Sequence, residues 1–163
     1  LHMSGIVICL ICLFIMFLSS TLYHCMPFGS NHKYVFRKID HICIFLAIAG
    51  TYTPVAISLI GGWQAIVVLC IEWGAVLFGI LLKSIATKSY PKLSMAIYMA
   101  MGWAAIMFMP VLLSKASLEF LIYIVLGGIM YTIGAIFYAR KKPYMHAIWH
   151  ICINIASHSV AGN

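Results

Sequence analysis

The sequence predicts an all-α protein that crosses a membrane several times. Three observations carry that expectation: 64% of its 163 residues are apolar, only 8% are charged, and mean hydropathy is +1.07. A soluble domain of this length needs far more charge to cover its surface. Runs of about 20 apolar residues, the length that spans hydrocarbon as a helix, recur from end to end. Residues 1–163 are therefore read as a single integral-membrane domain with six transmembrane helices.

The first span covers about Met3–Tyr23 and ends at His24. A loop from Cys25 to about Arg37 holds Pro27, Gly29 and basic residues. The second span runs from about Ile39 to Ile60 and contains Gly50-Thr51-Tyr52-Thr53-Pro54. Pro54 has no N–H to donate and should kink that helix, with the Thr51 and Thr53 hydroxyls available to freed carbonyls. Gly61-Gly62 turns the chain into a third span, about Trp63–Leu82, and Tyr90-Pro91 breaks the basic loop that follows. The remaining spans are about Leu93–Leu113, Leu118–Tyr138 and Tyr144–Val160. Pro143 precedes the last of these, where a missing N–H is harmless.

Charge sets the orientation. Of ten Lys and Arg residues, nine lie in alternate loops: Lys33, Arg37, Lys38; Lys83, Lys88, Lys92; Arg140, Lys141, Lys142. The positive-inside rule makes the segments 25–39, 83–92 and 140–143 cytoplasmic and puts both ends of the sequence outside. A net charge of +7 is thus explained by topology and implies no nucleic-acid partner. Cys9 and Cys12 form a C-x-x-C, but the six cysteines are scattered through apolar spans and suggest no disulfide framework. The chain opens at Leu1-His2-Met3 and enters an apolar run with no charged segment before it. That is not a cleavable signal peptide, and it reads as a chain lacking its natural start.

Against this background His146-Ala147-Ile148-Trp149-His150 stands out. Histidines four apart share one helix face, a spacing that suits one metal ion, and imidazoles are costly inside a membrane. Hydrogen-bonded packing would explain the pair equally well. His24 could be an interfacial residue, and Asp40 an ordinary acid at a helix start. Yet His24 ends the first span, Asp40 begins the second, and His146 and His150 open the sixth. All four fall toward the cytoplasmic ends, and independent histidines have no reason to agree in depth. Ser20 lies one turn from His24 on the same face.

Three neutral imidazoles with an open position are the ligand set of a catalytic zinc site, where bound water has a pKa of about 7. Ala147 stands where a zincin has its glutamate, so the base or orienting role moves to Asp40. His41 is left as a supporting or surface residue. Glu72 and His158 have no assigned role.

The stretches Ser20–His24, Arg37–His41 and Ile48–Pro54 resemble the opening motifs of the hemolysin III family, which belongs with the progestin and adipoQ receptors. Tyr98–Trp103 and Leu126–Gly134 look like its middle motifs, and His146–His150 like its last. The resemblance covers essentially the whole chain. It implies a seven-helix bundle of which this chain holds helices two to seven, the N-terminal helix being missing. It also implies zinc on His24, His146 and His150, with Asp40 and Ser20 near the metal-bound water.

Adiponectin receptors are associated with ceramide amide hydrolysis. The resemblance therefore implies a zinc-dependent hydrolase in the plasma membrane acting on a lipid amide. Alternatives are a pore-forming cytolysin, or a receptor or regulator of membrane lipid state with a structural zinc.

Overall fold

A computed structural model describes residues 2–27, 29, 31–85 and 91–139, and every regular element among them is helical. The elements are α1 (His2–Cys25), α2 (Asn31–Val55), a π-helical stretch (Ala56–Ile60), α3 (Gly62–Ile85), α4 (Pro91–Trp103), a 3₁₀ stretch (Ala104–Phe108), α5 (Met109–Lys115) and α6 (Leu118–Ala139). Among the described residues four stretches are long and apolar enough to cross a membrane: Met3–Cys25, Asn31–Ile60, Gly62–Ile85 and Lys92–Lys115. α6 adds a further apolar helix of 22 residues. The expected sixth span, 144–160, lies outside the described residues. The chain divides into two compact units, Leu1–Met101 and Gly102–Asn163.

The first unit is built on α2. α1 runs antiparallel to it, with Gly5 against Pro54 and Gly50 against Cys12. The buried residues of α1 are Gly5, Cys9, Cys12, Met16, Ser19 and Ser20. They step by three or four along one face, and most are small, which is how membrane helices approach closely. The opposite face presents Leu10, Phe14 and Leu18 outward, as lipid-facing residues must. α3 packs antiparallel on α2 as well: a Cβ at Gly79 would meet the Phe45 ring, and Trp73 Nε1 donates to Thr53 Oγ1 at 3.3 Å. The first part of α4 joins this unit through Tyr98. Its ring lies 4.4 Å from that of Phe45, and its hydroxyl donates to the His41 carbonyl at 2.7 Å.

Three local features differ from the sequence expectation. α2 begins at Asn31, so most of the anticipated loop is helix, and Lys33 reaches back to donate to the Met26 carbonyl at 2.8 Å. That cation closes the C-terminal end of α1, where carbonyls have no intrahelical donor. Second, the proline of α2 is followed by π geometry, with Gly61 N–H donating to Ala56 at 2.9 Å. The threonine hydroxyls bond to Ile48 and Ala49, not to Gly50, the carbonyl that Pro54 cannot serve. Third, the fourth span is interrupted by 3₁₀ turns just before Pro110, which has no N–H to give Ile106. The Gly61-Gly62 turn is as expected, with φ of 67° and 57°, values that suit glycine.

In the second unit, Gly102 allows close approach of Tyr131, whose Cε1 would lie 2.9 Å from an added Cβ. Thr132 donates to the Gly128 carbonyl within α6, and Leu112 of α5 is fully buried.

Candidate functional site

Ser20, His24 and Asp40 all belong to the first unit, at the end of the spans that carries the basic residues. The antiparallel pairing of α1 with α2 sets their relative depth. Side chains of Ser19 and Cys43 meet across the interface, and seven residues earlier on α1 Cys12 faces Gly50. Continuing that antiparallel step sets Asp40 level with Leu22, two residues beyond Ser20 and two short of His24. Asp40 is 0% exposed and Ser20 is buried. Both therefore lie within the helix packing rather than on the lipid surface. His24 stands one turn further along α1, in its last turn, and is exposed. Its ring meets that of Tyr23 edge-on at 5.0 Å, and Lys33 Nζ lies over Tyr23 at 5.2 Å. Ser20, His24 and Asp40 each have interaction partners.

His41 proves to be a buried residue rather than a surface one. Its Nδ1 is 2.6 Å from the Arg37 carbonyl. A carbonyl can only accept, so Nδ1 carries a proton and donates it to Arg37. Its own backbone carbonyl takes the Tyr98 hydroxyl. The turn of α2 that holds Asp40 is thereby fixed from two sides, through its own helix and through α4. The His41–Arg37 spacing of four was visible in the sequence, whereas nothing there pointed to Tyr98.

The electrostatic setting is basic. Lys33, Arg37 and Lys38 occupy the first two turns of α2, and Lys83 of α3 lies within electrostatic reach of Arg37 and Lys38. Asp40 sits just inside this ring of cations, toward the hydrocarbon. His146 and His150 lie outside the described residues. Among the described residues no group of three His, Cys, Asp or Glu side chains is close enough to hold a metal, and Ser20, His24 and Asp40 are the site residues that fall among them.

A family model described as haemolysin-III related matches residues 1–160. The chain belongs to that family. It is 39% identical over 137 residues to "Hemolysin-3 homolog" of Bacillus subtilis (strain 168), covering 83% of this chain and 64% of that one. It is 34% identical over 142 residues to "Hemolysin-3" of Bacillus cereus, covering 86% and 64%. A more distant relative is the human "Monocyte to macrophage differentiation factor", 24% identical over 148 residues, covering 87% and 61%. This haemolysin-III-related chain thus spans less than two thirds of the length of these relatives. No solved structure matches it.

Proposed function

We propose that the protein is a metal-dependent hydrolase of the plasma membrane that acts on lipid amides, with zinc held by His24, His146 and His150. The observation that supports this most is Asp40, a fully buried carboxyl at the basic end of α2, within one helical turn in depth of the buried hydroxyl of Ser20. Imidazole donors beside a buried carboxylate are the chemistry a borderline divalent ion accepts. Zinc bound there supplies a Lewis acid for the carbonyl and lowers the pKa of water. Asp40 takes the proton of the attacking water on a carboxylate oxygen and returns it to the departing amine nitrogen. The Ser20 hydroxyl donates a hydrogen bond to the carbonyl oxygen of the substrate. His41 and Tyr98 hold the turn that aims Asp40. The basic segments 25–39, 83–92 and 140–143 face the cytoplasm in this reading, and the substrate enters from the surrounding lipid.

Metal analysis of the purified full-length protein tests the site. His150→Ala should lose about one zinc per chain, and equal metal content would remove the triad. Asp40→Ala should keep the metal and lose lipid-amide turnover, read by comparing lipid profiles of cells carrying either form. The names of the two Bacillus relatives favour a second reading, a cytolysin. Lysis of red cells by both the wild-type and Asp40→Ala proteins, without amide turnover, would establish that reading instead.

A further inference from the structure

Glu72 takes no part in the site above. It lies on α3 within a buried stripe of Ala65, Val68, Glu72, Val76 and Gly79, spaced as one helix face. It is 0% exposed, and among the described residues neither carboxyl oxygen has a hydrogen-bond partner. Its depth follows from the α2–α3 pairing, in which Trp73 meets Thr53 and Gly79 meets Phe45. Glu72 therefore stands level with Thr53. It is roughly 15 Å from the start of α3 and 20 Å from its end at 1.5 Å per residue, near the middle of a bilayer. Along α2, the thirteen residues between this level and Asp40 amount to about 20 Å. The two carboxyls belong to different layers.

Among the described residues of the first unit, no fixed charge accompanies Glu72 at this depth. Residues 42–71 and 73–82 contain no Asp, Glu, Lys, Arg or His, and neither do 3–23 of α1 or 93–103 of α4. The titratable groups that α2 brings against α3 are Cys43 and Tyr52. α1 adds Cys9, Cys12 and Tyr23, α3 itself has Cys70, and α4 has Tyr98. Thiols and phenols are neutral near neutral pH. Thr53, the nearest hydroxyl by register, already donates to Ala49 at 2.9 Å and accepts from Trp73.

A metal cation would need several ligands besides one carboxylate, and among the described residues no group of three His, Cys, Asp or Glu side chains could hold one. An ionised carboxylate left there costs several kcal/mol or more. The neutral acid lacks that charge penalty.

From this geometry we propose that Glu72 is a proton-binding site at the centre of the bilayer, distinct from the Ser20, His24 and Asp40 layer. A solvent proton forms an O–H bond with one carboxyl oxygen as α3 packs on α2. It returns to water when that packing opens.

Infrared difference spectroscopy of the full-length protein in phospholipid vesicles tests this directly. At neutral pH the wild type should show a protonated-carboxyl C=O stretch that shifts on deuteration, survives Asp40→Asn, and disappears in Glu72→Gln. Strongly alkaline buffer should abolish the band. If Glu72→Gln does not fold, Glu72→Asp retains a carboxyl and should move the band rather than remove it. The absence of any Glu72-dependent band at neutral pH would overturn the proposal. So would loss of the band when choline is replaced by sodium at constant pH, since the occupant would then be a metal cation.

Discussion

Gly79→Ala tests the α2–α3 contact that sets both polar layers. An added Cβ would fall 2.5, 2.6 and 2.8 Å from Cε2, Cδ2 and Cζ of Phe45. Carbon atoms settle at about 3.5 Å or more, so the ring or the helix must yield by about 1 Å. The ring has little freedom to do so. Phe45 is 0% exposed, and it is backed by Tyr98, whose hydroxyl is tied to His41. Overpacking of this kind costs about 1–3 kcal/mol, while Gly to Ala in a helix interior returns about 1 kcal/mol. The expected net loss is about 0–2 kcal/mol.

Gly74 supplies the control on the same helix, because nothing lies within 4 Å of a Cβ placed there. Gly74→Ala keeps the propensity gain without the clash, so the difference between the two variants isolates about 1–3 kcal/mol. Denaturant unfolding of the full-length protein in micelles measures it. Equal stability of the two variants would refute the packing argument. Adding Phe45→Leu to Gly79→Ala should recover part of the loss, which a pair of independent sites would not do.

Gly50→Ala should be harsher, because its Cβ would lie 2.6 Å from the Cβ of Cys12, an atom fixed to the backbone. Cys12→Ala leaves that atom in place and should not rescue unfolding stability, whereas Cys12→Gly should. Tyr98→Phe removes the 2.7 Å bond to the His41 carbonyl and should lower stability by about 0.5–1.5 kcal/mol in the same unfolding assay. A neutral result there would mean that α4 does not hold the turn carrying Asp40.

Apolar run length was enough to locate the helices, since α1, α3 and α6 match the expected spans within a few residues. It misplaced the start of α2, because hydropathy marks where hydrocarbon ends while helical hydrogen bonding continues beyond it. The 30-residue stretch Asn31–Ile60 is about 45 Å long, the thickness of a bilayer with its headgroups. Pro54 announced a disturbance, but whether it became a kink or a π turn depended on packing that no local pattern encodes. The 3₁₀ turns before Pro110 were not expected at all. At the site, span ends gave a depth to Ser20, His24 and Asp40, but the burial of Asp40 and His41 could not be read from them. The bond from Tyr98 to His41 spans 57 positions, and its partner could not be read from either local stretch.

The chemistry of polar groups in a span explains why so few residues carry the functional argument. Ser19 bonds to Met16, Thr21 to Phe17, Thr51 to Ile48, Thr53 to Ala49 and Thr132 to Gly128, each on its own helix. A hydroxyl always has that option, because it can donate to the carbonyl three or four residues back. Its presence in a membrane helix therefore demands no tertiary or functional partner. An ionised carboxylate has no such recourse: it can only accept, and the helix offers it carbonyls that also only accept. Asp40 and Glu72 must therefore be accommodated by a partner on another element, a bound cation or a proton. Placing them about 20 Å apart along the bilayer normal gives the two carboxyls separate solutions, which is why removing one should leave the signature of the other intact.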